Sequence, residues 1–270
     1  AGVVMAVGKS VTSLAPGDRV MALTGHGAMA EQVIASADRV FRIPDAMTFE
    51  QAAGFPVIYG TAYYALVDRA RLKSGETLLV HGAAGGAGSV AVELGKLLGA
   101  TVIATAGTDE KAQATRRFGA DHVINYSTQS VKDAVKALAS EGADVVFDPV
   151  GGDVFDQSLR CVAAEGRLLV IGFASGRIPS VPANLLLVKN VSVVGVYWGG
   201  FTKRDPGRNR RNFETMLQWI GEGRLRPPAT TAFALEDAAG AMNALLGRRS
   251  IGKIVIALHA GPPLPPRAGQ

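Results

Sequence analysis

The segment at residues 82–88 has the residue types and spacing that most directly suggest chemistry. Gly82, Gly85 and Gly88 follow a short apolar run typical of a strand and open an apolar run typical of a helix. Glycines let the backbone approach a pyrophosphate, and a helix N-terminus supplies unpaired amides with a partial positive charge. The spacing G-x-x-G-x-x-G differs from the dinucleotide fingerprint G-x-G-x-x-G, so a flexible turn is the alternative interpretation. The position between strand and helix favours a dinucleotide pyrophosphate site.

The end of the next predicted strand suggests which dinucleotide binds. An NAD site usually places Asp or Glu there to bind the ribose 2′-hydroxyl. This sequence has Gly107 and Thr108 instead, with Lys111 one helical turn later. Asp109 and Glu110 fit the first turn of a helix, where negative charge is favourable. A solvated lysine is the alternative for Lys111, but the pattern favours NADPH over NADH.

Metal-assisted chemistry would need a set of ligands that this sequence does not space suitably. A catalytic zinc takes three protein ligands and a structural zinc usually four. The chain has one cysteine, Cys161, and four histidines, none of which pair at metal-binding spacing. We therefore expect no metal site, and an acceptor that is already electrophilic, such as a quinone or a conjugated enone.

The predicted elements place the glycine segment in an α/β domain. From residue 57 onward, short apolar runs alternate with helical patterns, and six such runs predict a doubly wound parallel sheet. Residues 1–56 are β-rich, with candidate strands at 3–7, 19–23, 30–35 and 40–43. A further β element near 228–258 is expected to return to that region, and the proline-rich tail 259–270 is expected to be disordered.

Composition excludes several other classes of protein. With 270 residues, 48% hydrophobic and 19% charged, the chain is too apolar for a disordered protein. It has no apolar run of about 18 residues, the length of a membrane span. One cysteine excludes an intramolecular disulfide and is compatible with a reducing compartment, so we expect a cytoplasmic protein. The net charge of +5 and the basic run at 203–211 allow polyanion binding, although a solvated loop is the simpler interpretation.

Several motifs in their order along the chain resemble those of one family. The resemblance covers roughly residues 1–258 and is to the zinc-free quinone oxidoreductases, the zeta-crystallin-like branch of the medium-chain dehydrogenase/reductase superfamily. The motifs are Pro16-Gly17-Asp18-Arg19-Val20, Gly60-Thr61-Ala62-Tyr63, the glycine segment with His81, Gly119-Ala120-Asp121-His122, Asp148-Pro149-Val150-Gly151-Gly152 and Gly252-Lys253-Ile254-Val255.

The resemblance implies a Rossmann domain inserted in a GroES-like β-rich catalytic domain. The GroES-like domain would comprise residues 1–58 and 228–258, and the NADPH-binding domain residues 59–227. The implied activity is metal-free reduction of a quinone or an α,β-unsaturated carbonyl with NADPH, by a homodimer. Membrane association is not expected, and nucleic-acid binding is disfavoured.

The resemblance also implies roles for individual residues. Tyr59, Tyr197 and Trp198 are expected to line the acceptor pocket. The expected cofactor-binding residues are Thr61, Gly85, Gly86, Ala87, Gly88, Gly107, Thr108, Lys111, Tyr126, Gly172, Phe173, Ala174, Val196, Tyr197 and Arg248.

The start of the chain differs from the family pattern. Ala1 is followed by an alternating apolar stretch without the features of a signal peptide, which we interpret as an N-terminal truncation. The family carries an Asn and aromatic residues near the nicotinamide in an earlier segment, so its absence would open the pocket and weaken or abolish activity. Two alternatives therefore stay open: a non-catalytic NADPH-binding protein with possible nucleic-acid affinity, and an enoyl-thioester reductase.

Overall fold

The structure is a computed structural model that describes residues 1–247 and 251–258. It divides into two compact units. One contains Ala1–Val57 with the described residues from Pro206 onward, and the other contains Ile58–Asp205. The second boundary between the two units thus lies between residues 205 and 206, whereas the sequence analysis predicts a domain boundary between residues 227 and 228.

The described residues contain eleven strands and nine α-helices. The strands are β1 (Gly2–Val3), β2 (Arg19–Ala22), β3 (Val40–Arg42), β4 (Thr77–Val80), β5 (Thr101–Ala106), β6 (His122–Asn125), β7 (Ala143–Asp148), β8 (Val162–Val170), β9 (Ser192–Gly195), β10 (Thr230–Ala234) and β11 (Lys253–Ala257). The helices are α1 (Phe49–Tyr63), α2 (Gly86–Leu97), α3 (Asp109–Arg116), α4 (Val131–Leu138), α5 (Gly152–Cys161), α6 (Ala183–Lys189), α7 (Trp198–Arg204), α8 (Pro206–Gly221) and α9 (Ala238–Leu246). A π-helical segment, Tyr64–Arg69, continues α1, and short 3₁₀ turns occupy Ala37–Arg39 and Leu235–Asp237.

The unit Ile58–Asp205 is built around a six-stranded parallel sheet with the order β6-β5-β4-β7-β8-β9. The first strand of the sheet, β4, lies centrally, and the order reverses between β4 and β7. This is the doubly wound arrangement, in which ligands bind beyond the carboxyl ends of the strands at the reversal. The predicted α/β fold with a parallel sheet is confirmed.

The sheet forms because its strands are short apolar runs whose side chains are buried on both faces of the sheet. Leu78, Leu79 and Val80 of β4 are fully buried, as are Val145 and Val146 of β7. Capping side chains define where helices begin: Thr108 Oγ1 accepts from the Lys111 amide at 3.3 Å, and Ser130 Oγ accepts from the Asp133 amide at 3.3 Å. The strands consequently end, and the helices begin, at the same edge of the sheet.

The other unit contains a three-stranded antiparallel sheet, β1-β2-β3, and a separate parallel pair, β10-β11. Its core includes Phe41 and Phe55, whose ring centroids lie 4.6 and 6.1 Å from that of Phe213 on α8. In the described residues the returning strands therefore pair with each other, and β1-β2-β3 gains no further strand.

Two predicted strands and one predicted loop differ from the structure. The strand expected at residues 3–7 shrinks to Gly2–Val3, and residues 30–35 are irregular, with Ile34 98% exposed. Alternating apolar residues form a strand only where one face is buried and a neighbouring strand pairs, and residues 30–35 have neither in the described structure. The basic run at 203–211, expected to be a solvated loop, is instead largely helical, spanning the end of α7 and the start of α8.

The helical basic run has structural contacts of its own. The Arg210 guanidinium donates to the carbonyls of Ala37, Asp38 and Val40 at 3.0–3.2 Å and lies over the Phe41 ring. At least this arginine therefore serves packing within its own unit. Among the described helices, none combines the length and apolar character needed to cross a membrane.

Candidate active site

The turn from β4 into α2 brings backbone groups to the carboxyl edge of the sheet. Gly82 adopts a left-handed conformation, with φ of 57°. A Cβ on Gly88 would lie 2.3 Å from the Gly82 carbonyl oxygen and 2.8 Å from the Ala83 Cα, so only glycine allows this close packing. No side chain caps the first turn of α2 at Gly85. Its amides consequently face the sheet edge in the manner of an anion-binding helix terminus.

A buried polar cluster lies directly behind this turn. The fully buried His81 ring contacts Thr105 Oγ1 at 3.0 Å through Nδ1 and Ser158 Oγ at 2.6 Å through Nε2. Ser158 Oγ donates its one proton to the Val154 carbonyl at 2.8 Å, so Nε2 of His81 must donate to Ser158, and Nδ1 accepts from Thr105. Burial lowers the pKa of His81, partly opposed by the charge of Asp148. The ring is therefore neutral and joins β4, β5 and α5.

The loop after β7 lies against the same turn. Asp148 Oδ1 accepts from the amides of Val150 and Gly151 at 2.7 and 2.9 Å. A Cβ on Gly82 would come within 3.3 Å of Val150 Cγ2. Among the described residues, Asp148 Oδ2 is the one buried side-chain polar atom without a hydrogen-bond partner. This carboxylate therefore places an unsatisfied acceptor at the strand reversal, where the doubly wound fold binds ligands.

A second group of predicted residues surrounds the ends of β5 and β6. A Cβ on Gly107 would lie 2.7 Å from the Tyr126 hydroxyl, so the phenol covers this glycine. Asp109 Oδ1 accepts from Asn125 Nδ2 at 2.7 Å, which occupies one oxygen of the nearest carboxylate. The Lys111 amide bonds the capping Thr108, which fixes the lysine in the first turn of α3. The structure thus brings Gly107, Thr108, Lys111 and Tyr126 together.

A cavity of about 450 Å³ opens beside the ends of β8 and β9. Gly172, Phe173, Val196 and Tyr197, all predicted site residues, line it. The remaining lining residues are Tyr64, Arg69, Val170, Ile171, Gly195 and Arg204. Arg69 Nε donates to the Gly195 carbonyl at 3.1 Å, and the Tyr64 ring stacks on Phe201 at 4.2 Å. The cavity therefore combines an apolar wall, two phenols and two guanidinium groups.

All three regions lie along one edge of the sheet because its strands are parallel. Neighbouring strands are about 4.8 Å apart, so the edge from β6 to β9 extends roughly 24 Å. Tyr126 and Lys111 lie toward one end, the β4–α2 turn lies centrally, and the cavity lies toward the other end. An extended dinucleotide matches this order, with its pyrophosphate at the central turn.

Comparison with known proteins identifies the family. Residues 86–222 match the family described as zinc-binding dehydrogenase, and residues 1–45 match the alcohol dehydrogenase GroES-like domain. The chain is 43% identical over 259 residues to quinone oxidoreductase-like protein 2 of Bos taurus, covering 95% of this chain and 74% of that protein. The chain belongs to the zinc-free quinone oxidoreductase branch of the medium-chain dehydrogenase/reductase superfamily.

Solved structures of relatives agree with this assignment. The Escherichia coli quinone oxidoreductase complexed with NADPH has a TM-score of 0.85 at 30% identity, covering 94% of this chain and 79% of that one. The JamJ enoyl reductase has a TM-score of 0.84 at 27% identity, with coverage of 95% and 77%. In this chain, the described residues contain no group of three or more His, Cys, Asp or Glu suited to a metal ion.

The structure places the predicted pocket aromatics in three different environments. Tyr197 is 74% exposed and lines the cavity. Trp198 is 9% exposed, and its indole lies where a Cβ on Gly60 would come within 2.5 Å. Tyr59 is 1% exposed, and burial raises its pKa, with a further contribution from the charge of Glu93. Tyr59 is therefore a core residue of this oxidoreductase and does not line the described cavity.

Other predicted cofactor residues have distinct positions. Thr61 is half-buried on α1 but does not line the cavity. The Ala174 amide donates to the Pro149 carbonyl at 3.1 Å, which holds the loop after β8 against the loop after β7. Gly86 and Ala87 form the first turn of α2 together with Gly88. Arg248 and the tail 259–270 lie outside the described residues.

Among the lining residues that the sequence analysis did not single out, three have polar or charged side chains: Tyr64, Arg69 and Arg204. A signal for each was present. Arg204 follows Tyr197 by seven residues, which is two helical turns and therefore the same face of a helix. Tyr64 and Arg69 lie five residues apart, the repeat of the π-helical segment that contains both. In a regular α-helix this spacing would not place the two side chains on one face.

Proposed function

We propose that this protein reduces a quinone or an α,β-unsaturated carbonyl with NADPH, without a metal. The observation that carries the proposal is the shared sheet edge, where a glycine turn suited to a pyrophosphate lies two strands from an aromatic cavity. NADPH would supply a hydride, and reduction of a quinone to a hydroquinone consumes that hydride and one solvent proton. The metal-free part rests on the spacing of the cysteine and histidines in the sequence.

The residues present fit a nicotinamide dinucleotide. The amides in the first turn of α2 would bind the pyrophosphate, because Gly85 and Gly88 leave that turn uncovered. The Lys111 ammonium and the Tyr126 hydroxyl would bind a 2′-phosphate. Asp109 Oδ1 already accepts a hydrogen bond from Asn125 Nδ2, so this oxygen is engaged within the protein. These contacts support NADPH rather than NADH.

The cavity supplies the acceptor side of the proposal. Ile171, Phe173 and Val196 provide an apolar wall for a flat conjugated ring. The Tyr64 and Tyr197 hydroxyls can donate hydrogen bonds to a carbonyl oxygen of the acceptor, which stabilises the negative charge that develops there on reduction. Correct placement of the acceptor is then the main contribution of the protein to the rate.

Steady-state assays test this proposal. We expect faster oxidation of NADPH than of NADH when a soluble quinone is supplied. Lys111→Ala should weaken NADPH binding about tenfold and leave NADH binding within about twofold, because only NADPH carries the 2′-phosphate. Lys132→Ala removes an exposed lysine on α4 and serves as the matched control. Equal losses for both dinucleotides would refute the 2′-phosphate role, and NADPH binding without turnover of any quinone or enone would refute the activity.

An enoyl-thioester reductase is the second candidate, because the JamJ enoyl reductase shares the fold at 27% identity. Its acceptor is also a conjugated carbonyl, so the same cavity could serve. The ratio of kcat/KM for a crotonyl thioester to that for a quinone separates the two functions. A homodimer in the cytoplasm, as the family resemblance implies, completes the proposal, and the native mass in solution tests the dimer.

A further inference from the structure

The cavity at the ends of β8 and β9 is lined by positively charged groups that the reduction of a neutral quinone does not require. Arg69 and Arg204 both line it, and the described lining residues include no carboxylate. Two guanidinium groups that line the same cavity offer an anion two charge-assisted partners. A flat apolar acceptor would use neither of them.

The donor groups of both arginines are available. In the described part of the chain, the Arg204 guanidinium has neither a hydrogen-bond nor an ion-pair partner. Arg69 uses Nε on the Gly195 carbonyl at 3.1 Å, which anchors the side chain beside the end of β9 and leaves Nη1 and Nη2 to donate elsewhere. A guanidinium anchored in this way is preorganised, so binding an anion costs it less side-chain entropy.

The two arginines lie on two different helical segments that are far apart in the sequence. Arg69 ends the π-helical segment, while Arg204 ends α7. Each segment is fixed by a stacked pair of rings, since Tyr64 of the first segment packs on Phe201 of the second at a centroid distance of 4.2 Å. The two cationic groups are thus held on one rigid support, next to the apolar wall.

We infer that the acceptor of this protein carries an anionic group, a carboxylate or a phosphate, that Arg69 and Arg204 bind while its conjugated carbonyl lies against the apolar wall. The inference rests on the proposed function, because it names the class of acceptor for the same site. Guanidinium groups bind carboxylates and phosphates through paired, charge-assisted hydrogen bonds. Because both arginines are exposed, added salt should weaken the preference.

A matched pair of acceptors tests this inference. One is a 1,4-benzoquinone with a propionate side chain, and the other is its methyl ester, in which two methylene groups insulate the ring from the change of charge. We expect kcat/KM for the carboxylate to exceed that for the ester by about tenfold at low salt. Arg69→Gln and Arg204→Gln should each lower the acid-to-ester ratio of kcat/KM to near one.

Arg160→Gln is the control for a general change of charge, because Arg160 is an exposed arginine on α5 outside the cavity. It should leave the preference intact. Calorimetric binding of the matched hydroquinone acid and ester to the NADP⁺-bound protein gives a readout that does not depend on turnover. Tighter binding of the acid than of the ester, lost in Arg204→Gln, supports the inference whether or not the quinones are reduced. Failure to reduce either quinone would contradict only the proposed function.

Other outcomes overturn the inference. Equal kcat/KM and equal binding of acid and ester would show that the cavity does not select an anion. Weaker NADPH binding in both arginine variants, with an unchanged acid-to-ester ratio, would assign the arginines to the cofactor phosphates. A changed native mass with unchanged acceptor preference would assign them to contacts between copies of the chain.

Discussion

The turn between β4 and α2 positions backbone groups, whereas the cavity at the ends of β8 and β9 is lined by side chains. In the turn, Gly88 packs against the Gly82 carbonyl with no room for a Cβ, and the buried His81 ring supports the turn from behind. In the cavity, the exposed side chains of Arg69, Tyr197 and Arg204 come from the end of the π-helical segment and from the two ends of α7. The first region suits a constant ligand such as a dinucleotide phosphate. In the second region, substitution of a single side chain can change which acceptor binds without altering the fold.

The largest expected effect follows from Gly88→Ala. The added Cβ would clash with the Gly82 carbonyl and the Ala83 Cα, so the backbone of the turn must move. We expect NADPH binding to weaken about 100-fold, since two charge-assisted hydrogen bonds would be lost, and the free energy of unfolding to fall by about 1–3 kcal/mol. Calorimetry and urea unfolding measure the two quantities.

Gly221→Ala is the matched control for that substitution, because no atom lies within 4 Å of its added Cβ at the end of α8. It should leave NADPH affinity unchanged and should not lower the free energy of unfolding, because alanine is the better helix former. Native affinity for NADPH in Gly88→Ala would show that the turn does not position the pyrophosphate.

Gly60→Ala perturbs the other region. Its Cβ would lie 2.5 Å from the indole of Trp198, the first residue of α7 and the neighbour of Tyr197, so the cavity wall should shift. We expect kcat/KM for the acceptor to fall about tenfold while the Kd for NADPH changes little. A loss of NADPH affinity as large as that of Gly88→Ala would mean that the two regions are not separable.

The His81 cluster predicts a smaller, pH-dependent effect on stability. Because burial lowers the pKa of His81 in the folded state, the unfolded chain binds more protons once the pH falls below its ordinary pKa of about 6.5. The contribution of neutral His81 is therefore complete above about pH 6.5 and decreases below it. At pH 5.5 we expect a loss of about 1 kcal/mol relative to pH 7.5 that His81→Asn does not show. An identical loss in the variant, measured by urea unfolding, would exclude His81 as its source.

Cys161 should give the smallest effect. Burial raises the pKa of its thiol to about 11, and the charge of Lys189 only partly opposes this. Since the thiolate is the reactive form, iodoacetamide at pH 8 should modify the native protein far more slowly than the urea-unfolded chain and leave NADPH oxidation unchanged. Inactivation that parallels modification of native Cys161 would place a required thiol in the site.

The same contrast explains how much the sequence could predict. The glycine turn, the start of α3 at the acidic residues Asp109 and Glu110, and the alternation of strands and helices follow from local patterns, so the sequence was sufficient to predict them. Tyr64 and Arg204 meet at the cavity only through tertiary packing, and the π-helical segment changes the face on which Arg69 lies. Tyr59 was expected in the pocket, but the folded packing buries it, and sequence pattern alone does not reveal the direction in which a single aromatic side chain on a helix points.

The assignment to the quinone oxidoreductase branch has support from both units, whereas the acceptor chemistry depends on the cavity. The family matches at residues 1–45 and 86–222 include part of each unit. They do not distinguish a quinone from an enone or a thioester. The identity of the acceptor therefore has to be measured on the cavity itself.

Transfer of a labelled hydride tests the central claim most directly. The full chain is incubated with NADPH carrying deuterium at C4 of the nicotinamide and with a conjugated enone, and the product is analysed by mass spectrometry. In parallel reactions with the two C4 epimers, we expect one of them to give a saturated ketone with a single deuterium at the β-carbon, while the α-proton comes from solvent. A reduced product without the label from either epimer, or NADPH binding with no reduced product from either an enone or a quinone, would contradict the account.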